Sequence, residues 1–364
     1  MFKVFLKKIK KLYTVRFFFN LPKKKNILLY DEINSLILKE IIKKDFNILK
    51  IRKLEIYFWI FLKQIISFDF KFSTYCKNYI KFTEPKVIVT FNERKSRFFD
   101  LKNSFKNINF ISIQNGLHFP DYFKEYTFSK YSKCDYFFVF NKHFIQSFKK
   151  YIKSKYIVLG NFKNNLIKVS KSKKNDNFLL ISEFDQPKRL RHIKAKKLYE
   201  KLLPLINLYF YNSNKKIHIL LRRKDHRVIE EIKFYKKIFQ SNCVFQRADH
   251  WKKSYKILDK YKHIIFMRSS MGYESIARSK KVAILSPKML DSKHWFGWPS
   301  SPRKIYNFFI VKKASYDEIE RVLNNIKNCS QTNWNKKYYK SIKDQLYFDR
   351  NNTKLKNIIY KCLN

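Results

Sequence analysis

Two Rossmann-like α/β domains in series, facing each other across a cleft, are what this chain of 364 residues predicts. Three observations carry the prediction. Short apolar runs alternate with helical segments along most of the length, the mark of parallel sheets covered on both faces. The alternation runs twice, interrupted by one polar stretch rich in Lys, Asn and Ser, Gly160 to Asp176, which reads as an interdomain linker. The length supplies two domains with cores of their own, at roughly 100–200 residues each.

The elements follow in order. Met1 to Lys25 interleaves Phe, Leu and Ile with Lys and reads as a basic N-terminal arm. It either lies on an anionic membrane as an amphipathic helix or covers the first domain. Asn26 to Tyr30 (NILLY) is the first strand, followed by Phe46 to Ile51, Lys86 to Phe91, Asn109 to Ile113, Asp135 to Phe140 and Tyr156 to Leu159. Helical patterns fill the intervals, including the region after Ile51 to about Phe82. In the second half, Asn177 to Ile181, Ile217 to Leu221, Cys243 to Phe245, His263 to Met267, Val282 to Leu285 and Phe308 to Val311 read as strands. The predicted organisation is an arm over 1–25, an N-terminal domain over 26–165, a C-terminal domain over 176–330 and a helical segment over 331–364.

The formal net charge is +52, from 80 Lys and Arg against 28 Asp and Glu. Such an excess favours anionic partners: nucleic acid, anionic lipid or phosphorylated substrates. It is mostly Lys among abundant Phe, Tyr, Ile and Asn, which also fits a compositional drift of tolerant surface positions. Aromatic residues make up 18% of the chain, which excludes disorder. Cys76, Cys134, Cys243, Cys329 and Cys362 form no zinc-like spacing. They read as reduced thiols of a cytosolic protein, with no metal site. Met1 to Leu21 lacks a small-residue cleavage site, and the most apolar stretch, Ile56 to Ile66, contains Lys63 and is too short for a bilayer of about 30 Å. The expectation is a cytoplasmic protein, soluble or peripheral at the inner face of the membrane. No RNA-binding aromatic motif stands on a strand, so no specific nucleic acid partner is expected.

The chain has only four glycines, Gly116, Gly160, Gly272 and Gly297. Gly116 and Gly272 fall just past the carboxyl ends of predicted strands, where open α/β sheets bind ligands. No GxGxxG occurs, so a dinucleotide fingerprint is unsupported. The sharpest segment runs from Met267 to Ile284: strand, Ser/Gly turn, helix, turn, strand. Free backbone N–H groups at that helix start, with the Ser269 and Ser270 hydroxyls, suit a phosphate or diphosphate. Glu274 lies close behind and can accept from ribose hydroxyls; the alternative is Ser as N-cap with Glu as its capping-box partner. Arg222, Arg223 and Lys224 end another strand of the same half, where three cations can neutralise a leaving diphosphate without a metal, or form a solvated basic turn. His250 and Trp251 follow the next strand, and a nucleobase can stack on the indole.

The stretch Ser269-Ser270-x-Gly272-Tyr273-Glu274-x-x-x-Arg278-x-Lys280-Lys281-Val282 is similar to the donor-nucleotide segment of GT-B glycosyltransferases and their epimerase relatives. NILLYDE (26–32), SIQNGLH (112–118), ISEFDQP (181–187) and Phe296-Gly297-Trp298-Pro299 resemble bacterial surface-carbohydrate (O-antigen or capsule) biosynthesis proteins of that superfamily. The resemblance covers about residues 26 to 330. It implies a nucleotide-sugar as substrate rather than a cofactor, no obligate metal, and a donor site in the C-terminal domain. The Ser279-Lys280 pair departs from it, since a Gly is usual after that helix.

The resemblance places a lipid-linked or saccharide acceptor and any general base in the N-terminal domain. Asp31 follows the first strand, Glu93 the third and His118 the fourth; each is a candidate base. Gln114, Asn115 and Glu183 also stand at strand ends on the expected cleft. The long Ser286 to Tyr306 loop carries His294, Trp295 and Trp298, whose rings can stack on sugars as a lid. The leading expectation is transfer of a sugar from a nucleotide-sugar to a surface polysaccharide precursor. A nucleotide-sugar epimerase or polyol-phosphate transferase on the same fold is the alternative, and a non-catalytic basic protein binding membrane or RNA is the second.

Overall fold

The computed structural model describes residues 15–51, 55–116, 128–170, 175–184, 190–285, 304–342 and 347–364. The chain forms two compact units. The first gathers the described residues up to Leu166 and takes back Asp349–Asn364; the second runs from Ile167 to Phe348.

The strands of the first unit are β1 (Arg16–Phe18), β2 (Ile27–Tyr30), β3 (Asn47–Leu49), β4 (Glu55–Tyr57), β5 (Val87–Thr90), β6 (Asn109–Ile113), β7 (Lys133–Val139) and β8 (Lys153–Val158). Six of them make an all-parallel sheet in the order β3-β2-β5-β6-β7-β8. β1 and β4 pair apart from it as a parallel ribbon. The second unit contains β9 (Asn175–Ile181), β10 (Ile217–Leu220), β11 (Cys243–Gln246), β12 (Tyr261–Phe266), β13 (Lys281–Leu285) and β14 (Ile310–Val311). These too are all parallel, ordered β11-β10-β9-β12-β13-β14. That is the doubly wound Rossmann order, and it reverses between β9 and β12. In the first unit the reversal lies between β2 and β5. Strands β2, β5 and β13 are buried along their whole length, as sheets covered on both faces require.

Twelve sequence-predicted strands are present within a few residues. Two three-residue strands were not expected: β1 lies inside the basic arm, and β4 interrupts a region read as helical. The polar linker is also shorter than expected. Arg278, 1% exposed, donates from Nη1 to the Ile167 carbonyl at 3.0 Å, and the Ser170 N–H reaches Asp259 Oδ2 at 3.1 Å, so 167–170 belong to the second unit. The C-terminal segment is divided. Its last helix, Thr353–Leu363, packs on the Ser35–Ile42 helix and β5 of the first unit. Ser279 takes φ 58, the left-handed geometry that a Gly would accept without the cost of about 1 kcal/mol or more that a side chain carries.

Candidate functional site

In the second unit, three neighbouring strands, β10, β9 and β12, end with the residues singled out from sequence. β9 and β12 flank the reversal of strand order, the position where open α/β sheets hold ligands. Two strand spacings, about 10 Å, separate β10 from β12.

Glu183, just past β9, does what the sequence did not foretell. Its Oε1 accepts the backbone N–H groups of Met267 (3.0 Å), Arg268 and Ser269 (2.8 Å), and its Oε2 accepts Arg268 Nε at 3.2 Å. Three successive amides closing on one anion form a nest. The carboxylate is nearly buried, so the chain's own acid fills the part of the turn expected to take phosphate. The donors left among the described residues are the hydroxyls of Ser269 and Ser270 and the amides of Ser270 and Met271 that open the Ser270–Ala277 helix. Gly272 lies against β12: a Cβ there would enter the Phe266 ring. The glycine permits close helix–strand packing.

Ser269 is the N-cap but makes no side-chain cap bond, and Glu274 stands five residues on rather than three. The capping-box alternative is therefore not what forms. Glu274, expected from the sequence within the first turn with its side chain towards the ligand site, stands beyond that turn. It is 6% exposed, and its Oε2 accepts the hydroxyl of buried Tyr255.

At the end of β10, the Arg222 and Arg223 backbone N–H groups each donate at 2.8 Å to the two oxygens of Glu231. Glu231 is fully buried and also accepts Ser182 Oγ; Tyr235 donates to Ser182 at 2.9 Å. One acid thus fixes both the cationic turn and the residue next to Glu183. The sequence reading missed it. The available signal was an acid on the apolar stripe Val228, Glu231, Tyr235, Phe239 of the Val228–Phe239 helix. Arg222 and Lys224 are exposed and Arg223 is half-buried. Burial pushes the Lys224 ammonium below its ordinary range, against the pull of Asp249. His250 is exposed and caps the Trp251–Asp259 helix, its Nδ1 accepting Lys253 N–H at 3.4 Å. Trp251 is half-buried and meets Tyr255 edge-on at 6.2 Å.

In the first unit, Asp31 and Glu93 stand at the other reversal of strand order. Asp31 is buried at φ 79, and its Oδ2 accepts Asn92 Nδ2 at 2.8 Å. Glu93, also buried, accepts the Asn115 N–H at 3.2 Å. Asn115 Oδ1 accepts Asn34 Nδ2 at 3.0 Å. Gln114 is fully buried and bridges Phe140 N–H (2.9 Å) and the Gly116 carbonyl (2.8 Å), so it holds the loop after β6. Glu32, which follows Asp31, has its Oε2 buried with no hydrogen-bond partner among the described residues. His118, His294, Trp295 and Trp298 lie outside the described residues.

Three comparisons with known proteins bear on this arrangement. The S. aureus MnaA–UDP co-structure is 13% identical, with a TM-score of 0.55 over 94% of this chain and 98% of that one. The Methanocaldococcus jannaschii UDP-GlcNAc 2-epimerase, in complex with UDP-GlcNAc and UDP, is 12% identical, with a TM-score of 0.52 over 92% and 99%. Acinetobacter baumannii MurG is 11% identical, with a TM-score of 0.50 over 93% and 100%. At such identities the likeness speaks for the fold, which is that of GT-B enzymes. No curated protein matches the sequence. A family model described as "putative O-antigen biosynthesis protein" matches residues 111–363, more than half of the chain, and the chain belongs to that O-antigen biosynthesis family.

Proposed function

We propose that the protein transfers a sugar from a nucleotide-sugar to a surface-polysaccharide precursor, with the nucleotide held by the second unit. One observation carries the reading. At the β9/β12 reversal, the Ser269 and Ser270 hydroxyls and two helix-opening amides stand two strands from the cations that end β10. Such donors and cations suit a diphosphate, whose charge rises as the sugar leaves; preorganised donors stabilise that charge without moving. Glu183 and Glu231 hold both turns in place beforehand. Asp31 and Glu93 of the first unit, with His118, remain the proposed bases for an acceptor hydroxyl, with a lipid-linked or saccharide acceptor. A nucleotide-sugar epimerase is the second reading, favoured by the UDP-GlcNAc 2-epimerase among the structural neighbours.

Thermal unfolding with UDP, CDP, GDP and TDP, with and without EDTA, tests the site. At least one nucleotide is expected to raise the melting temperature in both conditions; at about a hundredfold over Kd the stabilisation is about 2.7 kcal/mol. Ser269→Ala/Ser270→Ala is expected to weaken that effect. If no nucleotide stabilises the protein, the donor-site reading is lost. Incubation with UDP-GlcNAc alone separates the two readings, since only an epimerase changes the sugar without an acceptor.

A further inference from the structure

The first unit carries an apolar ledge that its own core does not use. β1 runs beside β4, and the Phe58–Ile66 helix follows β4 directly. Ring contacts join them: Phe17 to Phe61 at 6.4 Å and Phe19 to Phe58 at 5.3 Å. The Trp59 indole N–H donates to the Phe19 carbonyl at 2.6 Å. On the outside of this joint Phe17, Phe19, Leu21, Trp59, Ile66 and Phe68 are exposed, from 47% for Leu21 to 84% for Phe68. Trp59, Lys63 and Ile66 share one helix face, which extends the ledge by about 10 Å. Scattered exposed apolar residues need no explanation; a group on one ledge does.

The ledge is held in place. Gln64, 2% exposed, donates to the Asp69 carbonyl at 2.7 Å and the Lys71 carbonyl at 2.9 Å, and so clamps the turn that presents Phe68. Phe68 itself adopts φ 51, a conformation that disfavours an aromatic residue and persists only when its surroundings impose it.

The charge around it is mainly positive, although Lys24 pairs with Glu84 at 2.9 Å and Asp69 follows Phe68. Residues 1–25 contain eight Lys, one Arg and no acid. Among the described residues Arg16, Lys23, Lys24 and Lys63 are exposed. Apolar and aromatic side chains inside a cationic field match an anionic bilayer surface, where rings enter the acyl boundary and ammonium groups meet phosphate. A second copy would bring the same cations against themselves, since each chain carries +52. Nucleic acid offers no apolar phase for six such side chains. No helix among the described residues is long and apolar enough to cross a membrane. We propose that the ledge docks the first unit on an anionic lipid leaflet from one side, whatever reaction the second unit performs.

Co-sedimentation with vesicles tests this, using phosphatidylcholine alone against phosphatidylcholine mixed with phosphatidylglycerol. The protein is expected to bind the mixed vesicles and not the neutral ones. Phe19→Ser/Trp59→Ser/Ile66→Ser/Phe68→Ser keeps every charge and is expected to cut binding about tenfold or more. Circular dichroism checks that it still folds, since Phe19→Ser removes the ring contact with Phe58 and Trp59→Ser the bond to the Phe19 carbonyl. If that variant fails to fold, Ile66→Ser/Phe68→Ser gives the same readout with a smaller fall. Parental binding by a folded variant overturns the proposal in favour of diffuse charge, and so does equal binding to neutral vesicles. A parent that is dimeric by sedimentation velocity, and monomeric once the four residues are changed, assigns the ledge to a second copy and also overturns it.

Discussion

Glu183 sits where an exogenous anion would otherwise sit, and this has a measurable consequence. In Glu183→Ala the amides of Met267, Arg268 and Ser269 lose their acceptor. Unsatisfied donors of this kind cost on the order of 2 kcal/mol. The nest itself remains, so inorganic phosphate is expected to restore part of the loss. Thermal unfolding in a phosphate series checks it: the variant's midpoint should rise more steeply than the parent's. Parallel slopes would mean that the nest collapses without its carboxylate. The turn and the helix start were legible because Ser, Gly and apolar period are local signals. The acid that closes the turn was not, because Glu183 lies 84 residues before Met267 and only the pairing of β9 with β12 brings them together. Glu231 escaped for a related reason: its partners, Ser182 and the Arg222 and Arg223 amides, become neighbours only through sheet order.

At the level of elements, β12 shows what an apolar run conceals. His263 to Met267 was legible as a strand, and its central role follows from the sheet order. The state of His263 was not legible. The ring is 3% exposed, lies tilted against Phe178 with centroids 4.9 Å apart, and stands 3.0 Å through Nδ1 from the Asp176 carbonyl. Lys281 stands opposite in register, and its ammonium donates to the Cys329 carbonyl. Burial first, then Lys281 and Lys262, push the imidazole from 6.5 down to about 4; the Asp176 carbonyl and charge oppose them. The unfolded chain therefore binds a proton between these values that the folded chain refuses. Stability from this site is complete above about 6.5 and is lost as pH falls towards 4, with a slope of at most about 1.4 kcal/mol per pH unit. His263→Phe removes the titration. Urea midpoints measured from pH 7 to 4 should fall less steeply for the variant than for the parent, and equal slopes would place the titration elsewhere. By contrast, β1 and β4 escaped the sequence because β1 lies in an arm where apolar residues interleave with Lys, and β4 runs straight into a helix.

Across the whole molecule, the described residues leave the first unit at Ile167 and come back at Asp349. The family model runs through both units, to residue 363, so the return belongs to the matched region. A buried polar knot fastens it: Asn165 Nδ2 to Asn352 Oδ1 at 2.9 Å, Asn352 Nδ2 to the Phe162 carbonyl at 2.9 Å, and Asp349 N–H to Asn165 Oδ1 at 3.1 Å. Beyond the knot, Lys86 Nζ reaches the Leu363 carbonyl at 2.7 Å and Tyr360 donates to the Ile42 carbonyl at 2.6 Å. The helical character of this segment was legible; its destination was not, since an amphipathic helix offers the same stripe to either sheet. Leu355, Ile359 and Leu363 are buried there, each worth about 1.5–3 kcal/mol. Their sum rivals the roughly 5–15 kcal/mol that holds a whole domain. Removing 349–364 should therefore unfold the first unit and spare the second, whose hydrophobic core is drawn from Phe178 to Ile342. Calorimetry of the shortened chain is expected to lose one transition, while any nucleotide found to stabilise the parent still raises the other. If the first-unit transition survives the deletion, the returning helix is an ornament on a sheet that folds without it; if the nucleotide effect disappears with that transition, the nucleotide site does not lie within the second unit alone.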